Sequence, residues 1–220
     1  MAGGLDYAVK LGESDIAEFL NRPGHAIDLG AGFGMHTIPL AKSGYSVIAV
    51  DSSKLLLEEL KRQCTGLNVQ VVNTNLLEFD HYIQSSANLI LCMGDTLTHL
   101  QTLEEIEMLI NRVKSNLNKG GSFIATFRDY THLPKDYNRF IPVRSDPNRI
   151  LTCFLEEQVD HIVVNDILHE RKDDVWTMKI SNYKKLRLSP DHLVKISSKI
   201  GLNSTIKQGP RGMLYFHAVR

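Results

Sequence analysis

Five short apolar runs punctuate the first part of the chain: Ala26–Leu29, Val47–Val50, Val69–Val72, Leu89–Met93 and Phe123–Phe127. They are nearly continuous rather than alternating, as in parallel strands covered on both faces. Stretches of helical spacing separate them. In the clearest, Thr102 and Glu105 form a capping box and Ile106, Leu109, Ile110, Val113 and Leu117 share one face. Asn118-Lys119-Gly120-Gly121 is expected to stop that helix. Ser53 caps a second helix, carrying Leu56, Leu57 and Leu60, whereas Pro39 should shift or kink the helix after the first run. Strands alternating with helices predict a doubly wound sheet.

The pattern changes in the second half. Leu151, Cys153 and Leu155 alternate with Thr152, Phe154 and Glu156, and Lys172-Asp173-Asp174 reads as a hairpin turn before a strand-like Val175–Leu188. Tyr130–Leu188 is therefore expected to be an antiparallel cap inserted after the fifth strand, with Trp176 in its core. Ser189-Pro190 then supplies an N-cap and a first-turn proline, Leu193, Val194, Ile196 and Ile200 pack, and Gly201 ends the helix. Asn203–Lys207 and Met213–Val219 close the sheet at seven strands. The predicted domains are 1–129 with 189–220, and the cap 130–188.

Composition changes this picture little. The 220 residues carry 25 basic and 25 acidic side chains, so no global field favours nucleic acid or an anionic membrane. Cys64, Cys92 and Cys153 are scattered, which indicates neither a metal site nor a disulfide framework. The first residues lack the basic and apolar regions of a signal peptide, and no apolar run reaches about 18 residues. A cytoplasmic protein, monomer or homodimer, is expected.

The candidate chemistry begins where the first run meets Asp28-Leu29-Gly30-Ala31-Gly32-Phe33-Gly34. Glycines permit a tight turn and close approach of backbone to a ligand, and Asp51, at the end of the second run, can accept the hydroxyls of a ribose. A dinucleotide fingerprint places its third glycine five residues after the first, which here is Met35; the glycines fall at 30, 32 and 34 instead. Asp28 suits an ammonium group better than a pyrophosphate.

The segment Ile27–Gly34 resembles motif I of the class I S-adenosylmethionine-dependent methyltransferases, and Val47–Asp51 resembles their second motif. The resemblance implies a Rossmann-like α/β fold. It implies S-adenosylmethionine bound by Asp28, Gly30, Ala31, Gly32, Gly34, Asp51, Ser52, Asn75, Leu76 and Met93, with Asn75 standing where the family usually has Asp.

Ligands of open α/β sheets bind beyond the carboxyl ends of the strands. Leu91–Leu100 and Phe127–Tyr130 lie there, and both resemble the glycine and sarcosine N-methyltransferase branch, in which the arginine at the position of Arg128 binds the substrate carboxylate. Asp95, Thr96, Arg128 and Tyr130 are thus expected to bind substrate, with Asp95, His99 and Tyr130 as candidate bases. Alternatively, Arg128 pairs with Asp129. A charged Asp95 would favour an amine, and the base-flipping Asn/Asp-Pro-Pro-Tyr motif is missing, so the expected acceptor is a small amine, or an amino or carboxylic acid. The alternatives are a nicotinamide-dependent oxidoreductase and a non-catalytic S-adenosylmethionine-binding partner subunit.

Overall fold

The computed structural model describes residues 4–20 and 22–220, without the side chain of Leu5. The chain opens with helix α1 (Gly4–Ile16), followed by β1 (His25–Leu29), α2 (Thr37–Lys42), β2 (Ser46–Asp51), α3 (Lys54–Gln63), β3 (Val69–Asn73), β4 (Ala87–Cys92), α4 (Leu103–Asn116) and β5 (Leu117–Phe127). The cap consists of β6 (Phe140–Asp146), β7 (Arg149–Glu157), β8 (His161–Lys172) and β9 (Val175–Leu186). The chain then returns through α5 (Pro190–Ile200), β10 (Asn203–Gln208) and β11 (Leu214–Val219). No described helix is long and apolar enough to cross a membrane.

The main sheet has the order β10-β11-β5-β4-β1-β2-β3, and β11 is antiparallel to both its neighbours. Strand order reverses between β1 and β4, which places the topological switch point, the usual ligand crevice of such sheets, at their carboxyl ends. One apolar layer joins the sheet to α4 and α5 through Ile106, Leu109, Ile110, Leu193 and Ile196. On the other face Ile38, Leu57 and Leu60 seat α2 and α3.

Several local expectations are revised. Helix α4 ends at Asn116, one residue before the expected Leu117, which instead begins β5. Thr102 caps the amide of Glu105 at 3.2 Å, but the glutamate returns to the amide of Gln101 at 2.6 Å instead of that of Thr102. Ser189 makes no side-chain capping bond; the fixed φ of Pro190 starts α5. Pro39 shifts α2: the helix begins only at Thr37, so the proline occupies the first turn, where its missing N–H costs nothing. Helix α1 and strand β6 were not foreseen. Trp176 is 45% exposed and is not a core residue.

The expected hairpin turn is present, with Asp173 and Asp174 both at positive φ, as a two-residue turn of type I′ demands. Across the cap, Leu155, Ile162 and Val164 form a small apolar cluster with Tyr130, which follows β5.

Gly34 shows why the loop after β1 uses its third glycine. Its φ is +101°, and a β-carbon would meet Leu60 Cδ1 at 2.5 Å and Ile38 Cδ1 at 3.2 Å. Gly34→Ala is expected to destabilise the fold by about 1–3 kcal/mol through strain and overpacking. Urea unfolding checks this; unchanged stability would contradict the clamp between α2 and α3.

Candidate active site

The loop after β1 is folded onto the end of β2. The amides of Gly30 and Ala31 both donate to the Val50 carbonyl, at 2.8 and 3.0 Å. The amide of Gly32 donates to Asp51 Oδ2 at 2.8 Å, and that of Ser53 to Asp51 Oδ1 at 2.7 Å. Asp51 therefore shapes the glycine loop and the start of α3, and each carboxylate oxygen keeps a lone pair for a further donor. Gly30 and Gly32 are left-handed, at φ +76° and +54°.

Two glycines face open space across the switch point. A β-carbon on Gly32 would touch only Leu56 Cδ1, at 3.9 Å, and one on Gly94, just past β4, would meet nothing within 4 Å. Gly30 differs, since its β-carbon would strike Thr96 at 2.4 Å. The loops after β1 and β4 thus abut through Gly30 and Thr96, while Gly32 and Gly94 present bare backbone. Such a cradle fits a nucleoside cofactor, with Asp51 at one end.

Asp28 is enclosed beneath the loop, only 1% exposed, and accepts the Thr37 hydroxyl at 2.6 Å. Burial pushes its carboxyl above the ordinary value, with the neighbouring His36 ring opposing. Ser52 is exposed beside Asp51, and Met93 is buried under Gly94. The Asn75 side-chain oxygen caps the following 3-10 turn by accepting the Leu77 amide at 2.8 Å; its amide nitrogen has no partner among the described residues. Leu76 begins that turn.

The acceptor side is organised by Asp95, which sits at φ +67° and is 7% exposed. Its Oδ1 accepts the Thr98 hydroxyl and the Arg128 amide, each at 3.0 Å. Its Oδ2 accepts the Tyr130 hydroxyl at 2.7 Å and meets Lys185 Nζ at 3.0 Å. Lys185 also donates to the Asp95 carbonyl at 2.8 Å. The lysine lies on β9 and is 5% exposed, so the cap is fastened to the ends of β4 and β5 by a buried ion pair. Burial pulls its ammonium below the ordinary value, against the pull of Asp95.

Burial and the Asp95 charge push the Tyr130 phenol upward, and its proton is already committed. Tyr130 and Asp95 are brought together as expected, but as partners of each other. The Thr96 hydroxyl donates to the Met93 carbonyl at 2.7 Å and holds the turn.

His99 is exposed at the crevice, its ring 5.5 Å from that of Tyr183 on the cap. Partial desolvation and the Lys185 charge hold it below its ordinary value, so its ring is neutral near pH 7. The Arg128 guanidinium is exposed beside Gly212 and has no ion pair among the described residues. The alternative pairing with Asp129 is not found, because that carboxylate accepts the amide and hydroxyl of Thr131 and lies 3.5 Å from His132.

Lys185 escaped the sequence reading, since nothing in a strand-like Lys184-Lys185 pair says which lysine turns inward. Arg187 escaped too; it donates to the carbonyls of Tyr130, Thr131 and Gln158 and closes the cap junction. The third omission is Asp15 of α1, paired with Arg211 of the β10–β11 connection at 2.7 Å and lying 3.8 Å from His36. Burial alone would raise Asp15, but the His36 ring and the Arg211 charge hold its carboxyl below the usual range.

Residues 26–121 match the family described as a methyltransferase domain. A glycine/sarcosine N-methyltransferase of Aphanothece halophytica is 26% identical over 106 residues, covering 47% of this chain and 40% of that protein. Over residues 26–121, just under half of the chain, the protein is thus similar to methyltransferases.

A cypemycin N-terminal methyltransferase of a Streptomyces species is similar too, 30% identical over 115 residues that cover 51% of this chain and 44% of that protein. The match thus spans less than half the length of either relative. Among solved structures, an S-adenosylmethionine-bound amino pentose methyltransferase of Micromonospora echinaspora superposes with a TM-score of 0.81 at 16% identity, covering 98% of this chain and 90% of that one. That likeness is one of fold. The methyltransferase match over the glycine loop and Asp51 disfavours the nicotinamide alternative.

The ion pair that fastens the cap yields a stability prediction. Lys185→Met leaves the Asp95 charge buried without its counterion and is expected to cost about 3–5 kcal/mol. Combining it with Asp95→Asn should recover part of that loss, because the amide needs no counterion. Urea unfolding of the single and double variants checks this; strict additivity would show that the two groups are not coupled.

Proposed function

We propose that the protein moves a methyl group from S-adenosylmethionine to the nitrogen of a small amine that also carries an anionic group. The observation that carries the reading is the bare-backbone crevice between Gly32 and Gly94 at the switch point, with Asp51 on one wall and Arg128 beyond the other. The named activities of the relatives, on glycine, sarcosine and a peptide N-terminus, and of the amino pentose enzyme support a nitrogen acceptor.

In this reading Asp51 holds the ribose through lone pairs that the Gly32 and Ser53 amides leave unused. Leu76 borders the adenine, and the free amide nitrogen of Asn75 supplies a donor to the ring. Bound S-adenosylmethionine supplies an electrophilic methyl group, so the chain need only orient a neutral amine in line with it, about 3 Å away, and exclude water. An amine arriving protonated must first lose a proton. His99, whose neutral ring has no hydrogen-bond partner among the described residues, is the base we assign. Asp95 and Tyr130 act as positioning residues, since their hydrogen-bonding capacity is taken up by each other, Thr98, Lys185 and the Arg128 amide. Arg128 offers its planar fork to a carboxylate, sulfonate or phosphate on the acceptor.

Two measurements test this. Calorimetric titration is expected to show S-adenosylmethionine binding that Asp51→Ala weakens by about 1.5–3 kcal/mol, through lost ribose hydrogen bonds and a loosened glycine loop. Conversion to S-adenosylhomocysteine is then followed with a panel of amines, with and without an anionic group. Arg128→Lys is expected to raise KM for the anionic amines about tenfold or more with cofactor affinity unchanged, because lysine cannot reproduce the bidentate pair. Tight cofactor binding without turnover of any amine would favour the non-catalytic subunit.

A further inference from the structure

The cap sheet projects past the cluster that roots it, and both faces of its outer half reach solvent. Residues paired across antiparallel strands share a face, so the register separates the two sides. The side continuing from Leu155, Val164 and Lys185 becomes charged outward: Arg149 and Lys179 both pair with Glu170, at 3.1 and 2.9 Å.

The opposite side is different. The three successive rungs that end at Asn182, Ile180 and Met178 of β9 contain no Lys, Arg, Asp or Glu. Their apolar members are Phe140, Phe154, Ile167, Ile180, Ile150 and Met178, and Phe140 stacks on Phe154 at 4.7 Å. Ile180 is 58% exposed and Met178 59%, with the half-exposed Trp176 next along the same face. Arg139 lies over the Phe154 ring and marks the border of the patch at the β6 side.

We infer that this face is the contact between two copies of the chain. Three rungs across four strands, with Trp176 beyond, make a flat footprint of about 400 Å², from strand spacings near 4.8 Å and a rise near 3.3 Å. Five of its positions, Asn165, Asn182, Thr152, His169 and Ser145, are polar, so the footprint is of the size of a functional surface patch, and it suffices as the centre of an interface in which each partner covers about 800 Å². The three rungs carry no formal charge and can meet their copies without repulsion, the cations Arg139, over Phe154, and Arg171, beside Trp176 and paired with Asp174, lying at the margins. The rung flanking it towards the domain places Glu156 and Lys184 on either side of Val163. A two-fold axis over β8 sets Glu156 of one copy opposite Lys184 of the partner subunit, overlaps β7, β8 and β9 and leaves β6 at the edge, so the rim is self-complementary as an isologous contact requires. Two sheets stacked in this way match the aligned packing of β-sandwiches.

Sedimentation velocity of the full chain from about 1 to 50 µM is expected to show a dimer. Ile180→Lys places like charges at the centre of the contact and should weaken the dimer about 100-fold or more. Circular dichroism melting checks that this exposed substitution leaves the fold intact, and Met178→Lys replaces it if melting falls. A monomer across the whole range overturns the inference, as does a dimer that both variants leave unchanged. A monomeric chain that co-sediments with neutral phosphatidylcholine vesicles, and loses this with Ile180→Lys, also overturns it and identifies a lipid surface as the occupant.

Discussion

A carboxylate buried at the end of a central strand must find donors for both oxygens and a counterion, and Asp95 imposes that demand on this fold. Gly94 and Asp95, both left-handed, turn the chain sharply after β4 and drive the side chain inward. The donors come from three directions: Thr98 from the following turn, the Arg128 amide and Tyr130 from beyond β5, and Lys185 from the cap 90 residues away. An isolated buried charge costs several kcal/mol, so these groups can hardly separate while Asp95 stays folded inside. The strand ends that form the crevice and the sheet that roofs it are consequently placed by one network.

The opposite wall follows a different rule, in which backbone conformation replaces charge. Gly30, Gly32 and Gly34 are all left-handed, yet each is glycine for a separate reason. Gly30 makes room for Thr96, Gly34 makes room for Leu60, and Gly32 leaves space empty. Only the last leaves room that a ligand could fill; the first two dock the loop against the β4 turn and α3. Asp51 combines both roles, since the hydrogen bonds that hold the loop also orient its carboxylate. The cofactor wall is therefore preorganised by contacts that do not involve the cofactor.

Much of this was legible in the residues because parallel strands buried on both faces leave continuous apolar runs, and left-handed turns leave glycines. The five runs, the glycine spacing and Asp51 carry such local signals, and the Asp173-Asp174 turn identifies the cap hairpin. What escaped depends on contacts remote in sequence. Lys185 and its neighbour Lys184 are identical in composition and opposite in fate, decided by the parity of β9 and by Asp95. Trp176 reads as core by its residue type, but its parity puts it on the outer face of the cap, beside Arg171. Asp15, Arg211 and His36 meet only because α1 crosses to the β10–β11 connection. Ser189 fails as a side-chain cap since proline alone suffices to start α5.

The same network changes how the charge of the acceptor pocket is read. Taken alone, Asp95 would prefer a cationic substrate and repel a carboxylate. With Lys185 at 3.0 Å the pair is neutral, and its remaining hydrogen-bonding capacity is turned away from solvent. On the acceptor side the charge without an ion-pair partner among the described residues is then the Arg128 guanidinium, whose neighbour Asp129 is occupied by Thr131, while the Asp51 carboxylate stands on the opposite, cofactor-facing wall. The local field so favours an anionic group on the acceptor, while the nearby neutral imidazole of His99 adds no repulsion to a protonated amine. The proposed anion-bearing amine would satisfy both conditions at once, with its anionic end at Arg128 and its nitrogen free to shed a proton toward His99 and turn to the glycine-lined crevice.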